Sequence, residues 1–347
     1  MTHSLLRVGI VGGGFMGRRH AETLSRSTDF ALVGVADPYS RELADAVGVP
    51  AFKTHEAMMD AGLDAVIIAN PNDAHVRTTI DAHERGIAAL VEKPLSTSSP
   101  AMAPLLAIEN VGAPVLVGHH RRHHPSVAVA KKLLTDGAIG DVLTINGMWT
   151  ARKADSYFAP DWRRAPGSGV VLINAVHDLD LFRTLFGEFR SVSAQYSSRT
   201  RGLAVPDTAT VTFETESGAL GTYICSDAAV SPWTWDQATE DEDAFPFRPG
   251  AACYFAAGTH GSLTFPTLEV HRHPGVEDWN HSLSAEYVAV SRGDSYTRQL
   301  AHFAQVARGE VPPAVLISDV ARTMRLMDAV QESAATGLTV QVAATPA

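Results

Sequence analysis

The first 120 residues alternate between short apolar runs and segments of helical character. LLRVGIV (5–11) runs into glycines and then into RRHAETLSR (18–26), which reads as strand, turn and helix. FALVGVAD (30–37) is a second strand, THEAMMDAG (54–62) a helix, DAVIIANP (64–71) a strand and DAHVRTTIDAHERG (73–86) a helix. AALVEKP (88–94), PAMAPLLAIENV (100–111) and APVLVGHH (113–120) continue the series as strand, helix and strand. Six buried strands separated by helices predict a doubly wound parallel sheet, in which ligands bind beyond the carboxyl ends of the strands. After KKLLTDGAIGDV (131–142) the runs become strands: LTINGMWTA, SVSAQYSS, TATVTFETESGALGTYICS, YFAAGTHGSLTFP and TLEVHRH. ATVTFETESGALGTYI alternates apolar and polar residues around a Ser-Gly turn, as a half-exposed antiparallel hairpin should. ISDVARTMRLMDAVQESAATG (317–337) is a helix, expected to pack near the first domain.

At 347 residues the chain is too long for one ordinary domain. With 45% hydrophobic and 19% charged residues it has the composition of a soluble globular protein. A net charge of −10 gives a nucleic-acid role no electrostatic support. Cys225 and Cys253 form no disulfide framework and no metal spacing, so a reducing compartment is expected. The N-terminus has no signal-peptide pattern and no apolar run approaches a membrane span, which makes the expected location the cytoplasm and excludes a membrane partner.

The glycines after the first strand fall at Gly12, Gly14 and Gly17, a G-x-G-x-x-G spacing with Phe15 and Met16 inside it. Gly12 permits the tight turn, Gly14 lets a pyrophosphate approach the backbone, and Gly17 lets helix pack on strand. The phosphates would sit at the positive end of that helix. The second strand ends in Asp37, 20 residues after Gly17, where a carboxylate accepts the ribose hydroxyls and repels a 2′-phosphate. NAD is therefore expected over NADP. The fold class is α/β: an N-terminal Rossmann domain over 1–125, then a C-terminal α+β domain with an open, mainly antiparallel sheet over 126–347. Three loops at strand ends are candidate ligand contacts: 70–75, 92–94 and 119–125.

VGGGFMGRRHA, IIANPNDAH, LVEKPLS and VGHHRRHHP, in this order and spacing, resemble the Gfo/Idh/MocA family of NAD(P)-dependent sugar and cyclitol oxidoreductases. GSGVVLINAVHDLDLFRTLFG resembles that family's substrate-domain helix, so the likeness covers nearly the whole chain. It implies that Lys93 of Glu92-Lys93-Pro94 hydrogen-bonds a substrate hydroxyl and helps move its proton. Partial desolvation at a strand end and a nearby nicotinamide cation both favour the neutral amine; the alternative is a snorkelling surface lysine. A cis Lys93–Pro94 bond fits that turn. The resemblance further implies that Asn70, Pro71, Asn72 and His75 border the cofactor, with Asn72 also capping the next helix.

The resemblance matches His177 to a histidine that takes the carbinol proton. Many members carry an aspartate four residues before it, where this chain has Ile173; the polar neighbours are Asn174, Asp178 and Asp180. Asn174 and Asp178 are candidate substrate contacts, and Asp180 either orients the imidazole or pairs with Arg183. Trp162, Arg163, His119 and Arg121 are expected near the substrate. The i, i+4 histidine pairs of HHRRHH suit a metal in spacing, but the two arginines would repel one, and a basic rim is the better reading. In the irregular 231–250 loop, Trp233 and Trp235 either stack on a substrate ring or pack at an interface.

These residues predict an oxidoreductase that transfers a hydride between NAD and a secondary alcohol of a sugar, sugar acid, cyclitol or related cyclic diol. NAD-dependent glycoside cleavage through transient oxidation, and a non-catalytic NAD-sensing regulator, are the alternatives. Arg121, Arg122, Arg163 and Arg164 beside four histidines suggest an acidic substrate despite the negative net charge. An open sheet face suggests a homodimer or homotetramer.

Overall fold

In the computed structural model, residues 4–96, 98–242, 245–290 and 294–342 are described. The chain divides into two compact units, one of residues 1–123 and 295–324, the other of 124–294 and 325–347.

The first unit is a six-stranded parallel sheet of β1 (Leu6–Val11), β2 (Phe30–Ala36), β3 (Ala51–Phe52), β4 (Ala65–Ile68), β5 (Ala88–Val91) and β6 (Val115–Val117). Their order, β3-β2-β1-β4-β5-β6, is that of a doubly wound dinucleotide-binding sheet, with the switch point between β1 and β4. β4 and β5 are buried along their whole length, as strands covered on both faces must be. β3 is only two residues long and was not among the apolar runs. The region read as one helix over 100–111 is a 3₁₀ turn, Pro100–Met102, followed by a four-residue helix, Ala103–Leu106. Pro104 fits only a helix's first turn, which keeps the two pieces short.

The second unit holds a nine-stranded sheet: β7 (Val142–Thr150), β8 (Phe189–Ser197), β9 (Thr208–Thr215), β10 (Leu220–Ser226), β11 (Tyr254–Gly258), β12 (Ser262–Phe265), β13 (Glu269–Arg272), β14 (Ser284–Tyr287) and β15 (Val340–Gln341). The order is β14-β13-β12-β11-β7-β10-β9-β8-β15, and only the β7–β10 pair is parallel. β9 and β10 form the expected hairpin, with Tyr223 opposite Val211 on the buried face. The helix Val176–Phe186 lies on that face, where Phe182 meets Tyr223 and Tyr254 edge-on. Gly147 makes room for it: a Cβ there would come 2.2 Å from the Phe182 ring. The opposite face exposes Leu220, Ile224 and Phe255.

Candidate active site

The glycine loop sits at the switch point. Gly12 has φ +99°, and a Cβ on it would lie 2.4 Å from the Ala69 carbonyl oxygen that follows β4. A Cβ on Gly17 would lie 2.0 Å from the Gly12 carbonyl oxygen, so this glycine seats the helix Phe15–Ser25 against the turn. Gly14 differs. Its φ of −73° suits any residue, and no heavy atom lies within 4 Å of where its Cβ would stand. Packing does not explain this glycine, whereas the close approach of a pyrophosphate to an uncapped helix start does. Asp37 is wired into the same loop. One carboxylate oxygen accepts from Gly13 N at 2.8 Å, the other from Tyr39 N at 2.8 Å and Ser40 N at 3.0 Å. A carboxylate has about four acceptor directions, so capacity for a ribose hydroxyl remains. These residues fit a dinucleotide.

The Glu92–Pro94 loop leaves β5 and is held from two sides by buried histidines. His20, on the helix Phe15–Ser25, meets Glu92 Oε1 at 2.8 Å, and Lys93 N donates to Glu92 Oε2 at 3.2 Å. Burial pushes the Glu92 carboxyl up, but the hydrogen bond from His20 and the charges of His20, Lys93 and His75 outweigh it, leaving the pKa below the ordinary value. The ring nitrogens of His75 meet the Pro94 carbonyl at 2.8 Å and the Asn70 carbonyl at 2.9 Å. Burial dominates these contacts and lowers its pKa. Glu92 and His75 were expected at the cofactor. With 4% and 1% of their surfaces exposed, they brace the loops of Glu92–Pro94 and residues 70–75. The Lys93–Pro94 bond is cis, and Lys93 is half-buried. Asn70 donates to Thr78 Oγ1 at 2.9 Å, Pro71 and Asn72 are exposed, and Asn72 caps nothing: it opens a 3₁₀ turn ahead of the helix His75–Glu84.

The histidine–arginine run is not a basic rim. His119, His120 and Arg121 are buried, which corrects the expected placement of His119 and Arg121 at a substrate surface. His120 stacks on Tyr296 of the helix Ser295–Ala307 at 4.2 Å, and Arg122 pairs with Asp319. Burial, helped by Arg121, drives the His120 pKa well below its ordinary value. Burial and the neighbouring His302 and Arg122 bring His123 down to about 3. The charge legible in the sequence is largely absorbed in packing.

In the second unit a π-helical turn, Val171–Ala175, leads into the helix Val176–Phe186 and presents half-buried Ile173 and Asn174, with buried His177 after them. Asp178 is not a substrate contact. It is fully buried and accepts from the hydroxyls of Tyr223, at 2.7 Å, and Tyr254, which anchors the helix to the sheet. Asp180 is equally buried and lies 3.9 Å from Arg183, the pairing alternative read from the sequence. Arg163 packs its guanidinium 4.0 Å over the Tyr157 ring and 5.1 Å from that of exposed Trp162, and donates to the Tyr157 carbonyl at 2.7 Å. Arg164 pairs with Asp161. Trp235 is fully buried against Phe265, whereas Trp233 is exposed.

Residues 6–119 match the oxidoreductase family GFO_IDH_MocA, NAD-binding Rossmann fold, and residues 131–342 match its C-terminal alpha/beta domain. The chain belongs to this family. It is an oxidoreductase whose first domain is the NAD-binding one. A levoglucosan dehydrogenase of Pseudarthrobacter phenanthrenivorans is 28% identical over 317 residues, 85% of this chain and 78% of that protein. The scyllo-inositol 2-dehydrogenase (NAD(+)) of Bacillus subtilis is 29% identical over 358 residues, covering 99% and 97%. A solved levoglucosan dehydrogenase in complex with NADH and levoglucosan superposes with a TM-score of 0.80 at 24% identity, covering 98% of this chain and all of that one.

In this Gfo/Idh/MocA oxidoreductase two residues hold candidate site residues without having been singled out in the sequence. His20 meets its carboxylate 72 positions away. Lys153, in the coil after β7, donates to Asn174 Oδ1 at 2.7 Å and stands 4.6 Å over the Tyr157 ring. His20 lies within the VGGGFMGRRHA stretch and Lys153 in no quoted motif, and only the fold brings each to its partner.

Proposed function

We propose that the protein is an NAD-dependent dehydrogenase of a secondary alcohol on a sugar, sugar acid or cyclitol. The observation that carries this is Gly14: its missing side chain faces open space at a helix start in a chain of this family. The named relatives, acting on levoglucosan and inositol, support the substrate class. Bound NAD supplies the hydride acceptor. Gly12, Gly14 and Gly17, with Phe15 and Met16, would hold its pyrophosphate, Asp37 its adenosine ribose, and Asn70, Pro71 and Asn72 the strand-end side. Lys93, braced by Glu92 and His75, hydrogen-bonds the reacting hydroxyl, and His177 takes up or relays its proton. Asn174, Arg163 and Trp162 contact the remainder of the substrate. The open face of the nine-stranded sheet, with Leu220, Ile224 and Phe255, suits a homodimer or homotetramer interface. Buried free Cys225 and Cys253 suit the cytoplasm; among the described residues no helix is long and apolar enough to cross a membrane.

The test is NADH formation across sugars, sugar acids, inositols and cyclic diols, repeated with Lys93→Ala and His177→Ala. Each variant should lose about a hundredfold or more in turnover while still binding NAD. Near-normal turnover in either removes that residue from the chemistry.

A further inference from the structure

We infer that the substrate presents a carboxylate, or another group that only accepts hydrogen bonds, to Asn174, and that Lys153 imposes this selectivity. The inference deepens the dehydrogenase reading and rests on it. An ammonium group only donates, so its contact with Asn174 at 2.7 Å fixes the amide with Oδ1 towards Lys153. The Nδ2 group then points away, and it donates to no described residue. Asn174 therefore turns two N–H donors outward, while one of the two Oδ1 lone pairs is taken by Lys153 and the other lies beside its ammonium.

Three carboxylates of the same unit are already engaged. The position before Asn174 is Ile173, apolar and half-exposed. Asp178 is consumed by Tyr223 and Tyr254, and Asp180 faces Arg183 in the interior. Asp227, 3.8 Å from Lys153, is buried and bonded to Arg201 Nε at 2.9 Å. Arg163 adds a cation on the Tyr157 ring that Lys153 also overlies, and it makes no ion pair among the described residues. A polyol hydroxyl needs both a donor and an acceptor to be fully satisfied. A wall weighted towards donors and cations satisfies a carboxylate more fully than a hydroxyl, whose O–H must compete for the one Oδ1 lone pair that Lys153 leaves.

The histidine–arginine run, whose charge is buried or paired, plays no part in this selectivity. The selectivity comes from the direction of one amide.

The experiment measures kcat/KM with NAD for glucuronate, galacturonate, gluconate, galactonate and quinate, each beside a neutral sugar, polyol or inositol. Wild-type protein should favour an acid by about tenfold or more, the size of one charge-assisted hydrogen bond. Lys153→Met should collapse that ratio, and Lys153→Arg should keep most of it. Asn174→Asp, which Lys153 can hold as an ion pair, introduces an acceptor and should shift preference towards the neutral partner. Equal or better turnover of neutral compounds by wild type overturns the inference while the dehydrogenase reading stands. So does an acid preference that both Lys153→Met and Asn174→Asp leave unchanged. If wild type reduces NAD with none of the compounds, the dehydrogenase reading falls and the inference with it.

Discussion

The three glycines of one motif should separate cleanly when each is replaced by alanine. Gly17→Ala places a Cβ 2.0 Å from the Gly12 carbonyl oxygen, where a carbon needs about 3.3 Å, so backbone must move by about 1.3 Å. Gly12→Ala combines a 2.4 Å contact with the Ala69 carbonyl and a φ of +99°, which costs a residue with a Cβ about 1–3 kcal/mol before the clash. With overpacking at about 1–3 kcal/mol in yielding cores and more against backbone, each change removes a large part of a stability of about 5–15 kcal/mol. Gly14→Ala meets nothing. Its loss of a tolerated helix cap, a few tenths of a kcal/mol or more, is offset by about 0.4–1 kcal/mol from a stiffer unfolded chain. Its melting temperature should therefore stay close to wild type, while NAD affinity drops tenfold or more because the methyl occupies the phosphate approach. Thermal unfolding and an NAD titration on the three variants decide it. A Gly14→Ala protein that binds NAD normally, or that melts as early as Gly17→Ala, refutes the reasoning.

Asp37→Ala should weaken NAD and relax discrimination against NADP, but it also frees Gly13, Tyr39 and Ser40 N–H groups; Asp37→Asn keeps an acceptor for the loop and should show the selectivity change with less loss of affinity, and a wild-type preference for NADP of tenfold or more would contradict the role of Asp37. Between the ordinary imidazole value of 6.5 and about 3, the unfolded chain takes up a proton that folded His123 refuses, so stability should fall as pH drops through that window. A tenfold change in proton affinity is about 1.4 kcal/mol, and partial exposure discounts the total to about 3 kcal/mol; His123→Asn should flatten the melting-temperature profile over this range, and an unchanged slope would exclude His123 as its source. Gly147→Ala drives a methyl to 2.2 Å from the buried Phe182 ring, so it should lower the melting temperature by several degrees without altering NAD affinity; an unchanged melting temperature would show that the ring has room to move.

The alternating pattern carried the first sheet because β4, β5 and β6 are buried throughout, and β1 and β2 over their carboxyl-terminal halves, so each reads as an apolar run. β3, β14 and β15 were illegible for the opposite reason: they are two to four residues long, and β14 is exposed throughout. The glycine spacing was legible because Gly12 and Gly17 answer local steric demands, while Gly14 meets none and is left to a ligand to explain. Charge was less informative. Sequence cannot say whether an arginine faces a ligand, a carboxylate 197 positions away, as for Arg122 and Asp319, or an aromatic ring. Asp178 shows the same limit, since one turn of helix decides whether a carboxylate meets a substrate or two tyrosine hydroxyls. Lys153 escaped notice because its partner is an ordinary asparagine on another element.

The central claim is direct hydride transfer from a carbinol carbon to NAD. A substrate deuterated at that carbon, incubated with NAD and the protein, should yield one deuterium in each NADH for every ketone formed, by mass spectrometry. Product without accumulating labelled NADH, or deuterium lost to water, would contradict it.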